Sequence, residues 1–190
     1  TSSNFNSTFN YLNDAVNHTI RYSIVEGASA SATNGTVRIS TSAATGSGND
    51  NIEIDNCRIR DLSNIAGTPA NGVFALGTAA RENNNLVFTN NEIYNFWQVA
   101  TACNGVLIST NNTEITINGN SFYQSVSRTG TGAITRTAIQ INNTTANNIT
   151  IENNFIGGTS AASSGSAMSI TGNINQSFIG IWHNVATTSS

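Results

Sequence analysis

A short apolar pattern returns along this chain at intervals of about 30 residues, and it limits the fold more than any other feature of the sequence. Each copy has an apolar residue, any residue, a second apolar residue and, three positions later, a small or amide residue. The copies are Ile20/Tyr22/Val25, Ile52/Ile54/Cys57, Leu86/Phe88/Asn91, Ile115/Ile117/Asn120, Ile149/Ile151/Asn154 and Ile179/Ile181/Asn184. Successive copies begin 32, 34, 29, 34 and 30 positions apart. Such regular recurrence predicts a repeat architecture.

Further apolar residues accompany each copy at consistent positions. The pairs that precede the copies are Phe9/Tyr11, Val37/Ile39, Val73/Ala75, Val106/Ile108, Ile139/Ile141 and Met168/Ile170. The residues seven positions after the start of a copy are Ile59, Ile93, Phe122, Ile156 and, in the last copy, Ala186. Alternation with a period of two indicates strands, so each repeat carries two short strands and a turn that enters a third.

The strand pattern and the repeat length together select one architecture. Alternation with a period of two excludes helical repeats, and a propeller blade needs about 40 residues and four strands. We therefore predict an all-β fold, a right-handed parallel β-helix of about six coils that forms a single domain over residues 1–190. Residues 5–16 also allow an amphipathic helix, but Phe9 and Tyr11 are in register with the later pairs, which favours a strand.

Amide residues recur where each coil turns after its second apolar residue. We expect Asn91, Asn120 and Asn154 to form an asparagine ladder in which stacked side-chain amides bond along the axis, with Cys57 replacing the amide in the second coil. The length differences fall in segments rich in Ser, Gly, Thr and Asn, which we expect to leave one corner of the coil. These segments are 27–35, 41–50, 61–71, 125–136 and 157–166.

The charge and hydropathy of the chain limit the kinds of partner that we expect it to bind. Only 9% of residues are charged and the net charge is −3, which argues against nucleic-acid binding. No run of 18 apolar residues is present, so we expect no membrane insertion. Neither end of the predicted helix has an evident cap, which favours continuation of the same chain or head-to-tail stacking of the protein with itself.

Several phrases, in this order, resemble one type of protein. They are HTIRYSIVEG, GNDNIEIDNCRIRD, GTPANGVFALGT, NNEIYNFW, NGVLISTNNTEITINGNSFYQ and TRTAIQINNTTANNITIENNFIGG. Over residues 8–184 the chain resembles the long β-helical, pectate-lyase-like surface and secreted proteins of Bacteroidetes, many of which carry a type nine secretion signal. The resemblance implies a secreted bacterial protein located outside the cell or at its surface. It implies no functional residues.

Candidate sites are sparse. The ten carboxylates are scattered, and we expect no catalytic, cofactor-binding or metal-binding residues and no enzyme activity. Glu152 and His183 are the best candidate acid/base pair because the repeat frame places them on adjacent coils. An aromatic group is the candidate for a surface glycan contact, and its members are Tyr94, Phe96, Trp97 and Tyr123. The sequence favours a non-catalytic structural or adhesive element, with a glycan-binding or glycan-cleaving module as the alternative.

Overall fold

Short β-strands make up the regular structure of the chain. The computed structural model describes residues 6–40, 46–62, 69–172 and 175–184, and it has no helix among them. The strands are β1 Phe9–Tyr11, β2 Val16–Arg21, β3 Ile24–Gly27, β4 Val37–Ile39, β5 Asp50–Asp55, β6 Arg58–Asp61, β7 Asn71–Ala75, β8 Asn83–Thr89, β9 Glu92–Tyr94, β10 Asn104–Ile108, β11 Asn112–Asn118, β12 Ser121–Tyr123, β13 Arg128–Thr129, β14 Thr135–Asn142, β15 Ile149–Glu152, β16 Phe155–Ile156, β17 Ile170–Thr171 and β18 Ser177–Asn184.

Three parallel sheets run side by side along the axis of the molecule. Sheet 1 has the strand order β1-β4-β7-β10-β14-β18, sheet 2 has β2-β5-β8-β11-β15, and sheet 3 has β3-β6-β9-β12-β16. The chain visits sheets 1, 2 and 3 in turn, completes five coils, and begins a sixth with β18. β13 and β17 form a separate parallel pair in the connections from sheet 3 to sheet 1. The predicted parallel β-helix is confirmed, with five complete coils.

The core is built from columns of inward side chains that repeat from coil to coil. In sheet 2, Ile52, Leu86, Ile115 and Ile149 pair in succession. In sheet 3 the column is Val25, Ile59, Ile93, Phe122 and Ile156. In sheet 1 it is Phe9, Val37, Val73, Val106, Ile139 and Ile181. Inward residues of the middle coils have no exposed surface, so this alternation is the main source of burial. β1 confirms the strand preferred for Phe9 and Tyr11.

The first copy of the repeat lies two residues away from its predicted register. Ile20 pairs with Ile54 rather than with Ile52, and His18 occupies the position opposite Ile52. Tyr22 therefore does not face the core, and 80% of its surface is exposed. The third sheet determines this register because Val25, five residues after Ile20, pairs with Ile59, five residues after Ile54.

The last copy lies in a different sheet from the one predicted. Ile179 and Ile181 belong to β18 in sheet 1, where they pair with Thr137 and Ile139, so Ile179 does not continue the column of Ile149. Ile170 pairs with Arg128 in the separate β13–β17 pair, and Met168 lies in no strand. The connection between β16 and β18 is lengthened, and an alternating apolar pattern fits sheet 1 as well as sheet 2. Ala186 lies outside the described residues.

The three corners of the coil differ in how much the number of connecting residues varies from coil to coil. The corner between sheets 2 and 3 has two residues in every coil, and the pairs are Tyr22–Ser23, Asn56–Cys57, Asn90–Asn91, Gly119–Asn120 and Asn153–Asn154. The connections from sheet 1 to sheet 2 and from sheet 3 to sheet 1 both vary in length. The expectation of one variable corner was therefore wrong, because segment 41–50 connects sheet 1 to sheet 2 while the others connect sheet 3 to sheet 1.

Ile117 and its neighbour Thr116 provide a test of the inward columns. Ile117 is fully buried between Phe88 and Ile151, whereas Thr116 faces outward between Val87 and Thr150. We expect Ile117→Ala to reduce the free energy of unfolding by about 2–5 kcal/mol, through lost burial and an unfilled cavity. Thr116→Ala should change it by less than about 1 kcal/mol. Urea unfolding measures both, and equal losses would contradict the assigned faces.

Candidate functional site

The predicted ladder residues lie on consecutive coils at the corner between sheets 2 and 3. Asn91 Nδ2 donates to Asn120 Oδ1 at 2.9 Å, and Asn120 Nδ2 donates to Asn154 Oδ1 at 3.1 Å. Each Nδ2 also donates to a carbonyl of the preceding coil, on Ile54, Phe88 and Ile117 respectively, at 2.8 Å. Each of these amides therefore bonds to a neighbouring coil through both side-chain and backbone groups.

The backbone at this corner is also bonded by the ladder. The N–H groups of Cys57, Asn91 and Asn120 donate to the Oδ1 atom of the ladder residue in the next coil, at 2.9–3.0 Å. The N–H groups at this turn are not all bonded by the sheets, and leaving them unpaired would be costly in a buried position. The ladder therefore satisfies backbone donors as well as linking side chains.

A second ladder, which the sequence analysis missed, lies where the chain enters sheet 2. Asn49 Nδ2 donates to Asn83 Oδ1 at 2.9 Å, and Asn83 Nδ2 donates to Asn112 Oδ1 at 2.8 Å. All three side chains are fully buried. The sequence contains a signal for this ladder, because each asparagine lies three residues before the first apolar residue of its copy, at Ile52, Leu86 and Ile115.

The predicted aromatic group is divided between the interior and the surface. Phe96 and Trp97 are each 1% exposed, so neither can contact a glycan as placed. Tyr94 and Tyr123 stack at 4.6 Å between ring centroids, and Tyr123 donates to Glu92 Oε2 at 2.7 Å. Tyr123 is 6% exposed, and burial, then its hydrogen bond to Glu92, raises the pKa of its hydroxyl. Only Tyr94, which is half-buried, has substantial exposed surface.

A buried polar group lies inside the coil at the end of sheet 3. Asn95 donates to Asp61 Oδ1 at 3.0 Å, and Arg128 donates through Nε to Gln124 Oε1 at 2.9 Å. Arg128 Nη2 lies 3.8 Å from Asp61 Oδ2, and both residues are buried. Burial raises the pKa of the Asp61 carboxyl and lowers that of the Arg128 guanidinium. This arrangement pins the 124–134 connection to the core.

A second buried cation holds the adjacent connection. Arg136 has no exposed surface, and its guanidinium lies 4.1 Å from the centroid of the Trp97 ring. It donates to the carbonyls of Gln98 and Val99 at 2.7–3.1 Å. Backbone carbonyls and the aromatic face therefore stabilise this charge. Trp97 Nε1 donates to the carbonyl of Thr129 at 2.9 Å, so the polar atom of the buried ring is also bonded.

Three pairs of opposite charges lie across neighbouring coils on the outer faces of sheets 2 and 3. Arg21 bonds Glu53 at 2.8 Å, Arg58 lies 3.3 Å from Glu92, and Arg60 pairs with Glu26. Each pair is exposed enough to contribute little to stability. The opposite charges in each pair neutralise each other on an exposed surface.

The candidate acid/base pair is separated by the fold. Glu152 lies in sheet 2, whereas His183 lies in sheet 1 opposite Ile141, so the two are not neighbours in one column. The interpretation failed because the last copy was assigned to the wrong sheet. Within the described ranges, no three His, Cys, Asp or Glu side chains cluster closely enough to hold a metal ion.

No family model, curated protein or solved structure matches the chain. In the described part of the chain, no helix has the length and apolar character needed to cross a membrane.

Removing one ladder amide should cost more than removing an exposed amide. Asn120 is fully buried and bonded to two coils, whereas Asn147 is exposed. We expect Asn120→Ala to reduce the free energy of unfolding by about 1–3 kcal/mol, because it leaves donors and acceptors of neighbouring coils unpaired. Asn147→Ala should have a much smaller effect in the same urea titration. Equal effects would show that the stacked amides do not contribute in this way.

Replacing Cys57 by asparagine should lengthen the ladder by one coil. The Cys57 sulfur lies 3.5 Å from the carbonyl oxygen of Ile20, the equivalent of the carbonyls that the ladder amides bond. We expect Cys57→Asn to increase the free energy of unfolding by about 0.5–1.5 kcal/mol through this bond and one to Asn91 Oδ1. Cys57→Ser, which cannot bond both partners, is the control in thermal unfolding. A less stable asparagine variant would show that the corner has no room for the amide.

Proposed function

We propose that this chain is a non-catalytic structural element of an extracellular or cell-surface bacterial protein, in which it forms part of a longer β-helical stalk or filament. The observation that carries the proposal is the exposure of the core columns at both ends of the helix. In sheet 1, Phe9 is 39% exposed and Ile181 is 48% exposed, whereas Val37 and Ile139 in the same column have no exposed surface. These inward side chains are suited to contact with another coil.

The last layer of the helix indicates what would cover this end. β18 extends sheet 1 one strand beyond β15 in sheet 2 and β16 in sheet 3. Ile149, Ile151 and Ile156, the inward residues of those two strands, are only partly buried. A coil that continues from β18 through sheets 2 and 3 would cover them in register. A separate copy fits less simply, because its β1 would occupy the level in sheet 1 that β18 already fills.

The wider surface supports a structural role. Three pairs of outer charges neutralise one another across coils, and the buried Asn120 and Arg136 bond to neighbouring coils or to backbone. The resemblance to Bacteroidetes surface proteins supports the location, and antibody access to intact cells of the source organism would test it. A glycan-binding module is the second candidate, and the exposed ring of Tyr22 favours it.

Adding one designed partial coil tests the proposal directly. Asn184 pairs with Asn142, so the sequence of residues 143–156, placed after Asn184 instead of residues 185–190, would supply the next strands of sheets 2 and 3 in register. We expect this extension to increase the free energy of unfolding by about 1 kcal/mol or more, equivalent to about 2–4 °C in the unfolding temperature. Calorimetry measures the change.

The control is the same extension with serine at the three added isoleucine positions, which removes the inward side chains but keeps the length. An equal unfolding temperature for both extensions and the original chain would contradict continuation at this end. Sedimentation velocity of the original chain over a range of concentrations identifies the other source of further coils. Reversible association would indicate that separate copies stack.

A further inference from the structure

The corner between sheets 2 and 3 imposes an unusual backbone conformation on its first residue. This residue has a positive φ in all five coils, and the values are 50° at Tyr22, 52° at Asn56, 54° at Asn90, 71° at Gly119 and 54° at Asn153. Glycine and asparagine tolerate this region, whereas a bulky side chain is disfavoured there. Tyr22 is therefore the one strained member of the set. Strain of this kind often accompanies a functional position.

The side chain of Tyr22 contributes little to the fold. It is 80% exposed, and its backbone N–H is held by the carbonyl of Asp55 at 3.3 Å. Ile24, two residues later, is 61% exposed and faces outward, because it pairs with the exposed Arg58. Both side chains lie outside the inward columns. They are therefore exposed as outward residues of the first coil and not as uncovered core residues.

A shallow groove of about 190 Å³ lies beside these two apolar side chains. Its lining residues are Tyr22, Ser23, Ile24, Asn56 and Arg58. Asn56 donates through Nδ2 to Asp55 Oδ2 at 2.9 Å, and its Oδ1 has the chemistry to accept a hydrogen bond. The Arg58 side chain is 57% exposed and lies 3.3 Å from Glu92, so the local charge is balanced. The groove thus combines an apolar surface with neutral and paired polar groups.

We propose that this groove binds a neutral saccharide, with the apolar face of one sugar ring against Tyr22 and Ile24. The hydroxyl groups at the edge of the ring bond to Asn56 and Arg58. Tyrosine and arginine suit this task, because they provide large contact areas and directional hydrogen bonds. The groove is smaller than the 300–1,000 Å³ of typical pockets for drug-sized ligands, which suits one or two sugar rings. The lining residues face outward from the first two coils, so the proposal does not rest on the continuation of the helix proposed above.

This site differs from the aromatic group that the sequence indicated. Phe96, Trp97 and Tyr123 are buried, whereas Tyr22 combines exposure with a strained backbone. Asparagine at position 22 would match the same corner of three other coils. The stability of the fold therefore tests the role of Tyr22 independently of binding. If Tyr22 serves binding, its strained backbone should make the chain less stable than the asparagine variant. If Tyr22 serves stability, the asparagine variant should be the less stable of the two.

The test uses the full chain with hexasaccharides of glucose, xylose, mannose and N-acetylglucosamine, and with hexagalacturonic acid as the acidic comparison. Isothermal titration calorimetry measures binding, and calorimetric unfolding measures stability. We expect the chain to bind at least one neutral hexasaccharide. Tyr22→Asn should weaken that binding at least tenfold while raising the unfolding temperature, because the corner strain is relieved.

Two variants serve as matched controls. Tyr22→Phe keeps the ring and should retain binding within about threefold. Phe155→Asn removes an exposed ring from the outward column of Ile24 on the last complete coil, and should leave binding unchanged. The proposal is overturned by an absence of binding to any neutral hexasaccharide at millimolar concentration, by undiminished binding in Tyr22→Asn, or by a lower unfolding temperature in that variant. Binding confined to hexagalacturonic acid would overturn the neutral class of ligand.

Discussion

The structure depends on bonding the backbone where each coil turns from one sheet to the next. Parallel strands satisfy their own peptide groups, but a coil that changes direction at its corners leaves buried N–H and C=O groups without strand partners. Asn91 and Asn120 bond those groups at one corner, and Asn83 does so at another. Carboxamides suit this position because one side chain both donates and accepts without introducing charge. This requirement explains why asparagine, rather than a charged residue, occupies these buried corners.

The corner between sheets 2 and 3 combines this requirement with a conformational one. Its first residue adopts a positive φ, and its second directs a side chain into the ladder. Asn-Asn satisfies both conditions at Asn90–Asn91 and Asn153–Asn154, and Gly-Asn does so at Gly119–Asn120. The first coil departs at both positions, with Tyr22 and Ser23, so it lacks the amide and carries the strain. That coil is where the exposed groove lies.

Much of the fold follows from the sequence, because alternation with a constant spacing identifies strands and stacks them. The columns through Ile52, Ile59 and Val73 followed from the sequence, and so did the order in which the repeat copies stack along the axis. The errors at Ile20 and Ile179 arose where alternation fits two registers or two sheets, a choice that only neighbouring strands resolve. The buried Trp97 ring lies against Arg136, 39 positions later, and no local pattern shows that contact. The groove at Tyr22 was missed because the register error placed this residue in the core.

Of the two variable connections, the one from sheet 3 to sheet 1 lies away from the corner between sheets 2 and 3, where the turn always has two residues. Register is fixed at the constant corner, so the chain can lengthen at the variable one without shifting the columns, as the segment between β16 and β18 already does. Strands in such a sheet lie about 4.8 Å apart, which sets the spacing of these connections along the axis. The connections from sheet 3 to sheet 1 thus form a row along one edge of the helix. Peptide epitopes could diverge or be grafted there without a change in the sheets.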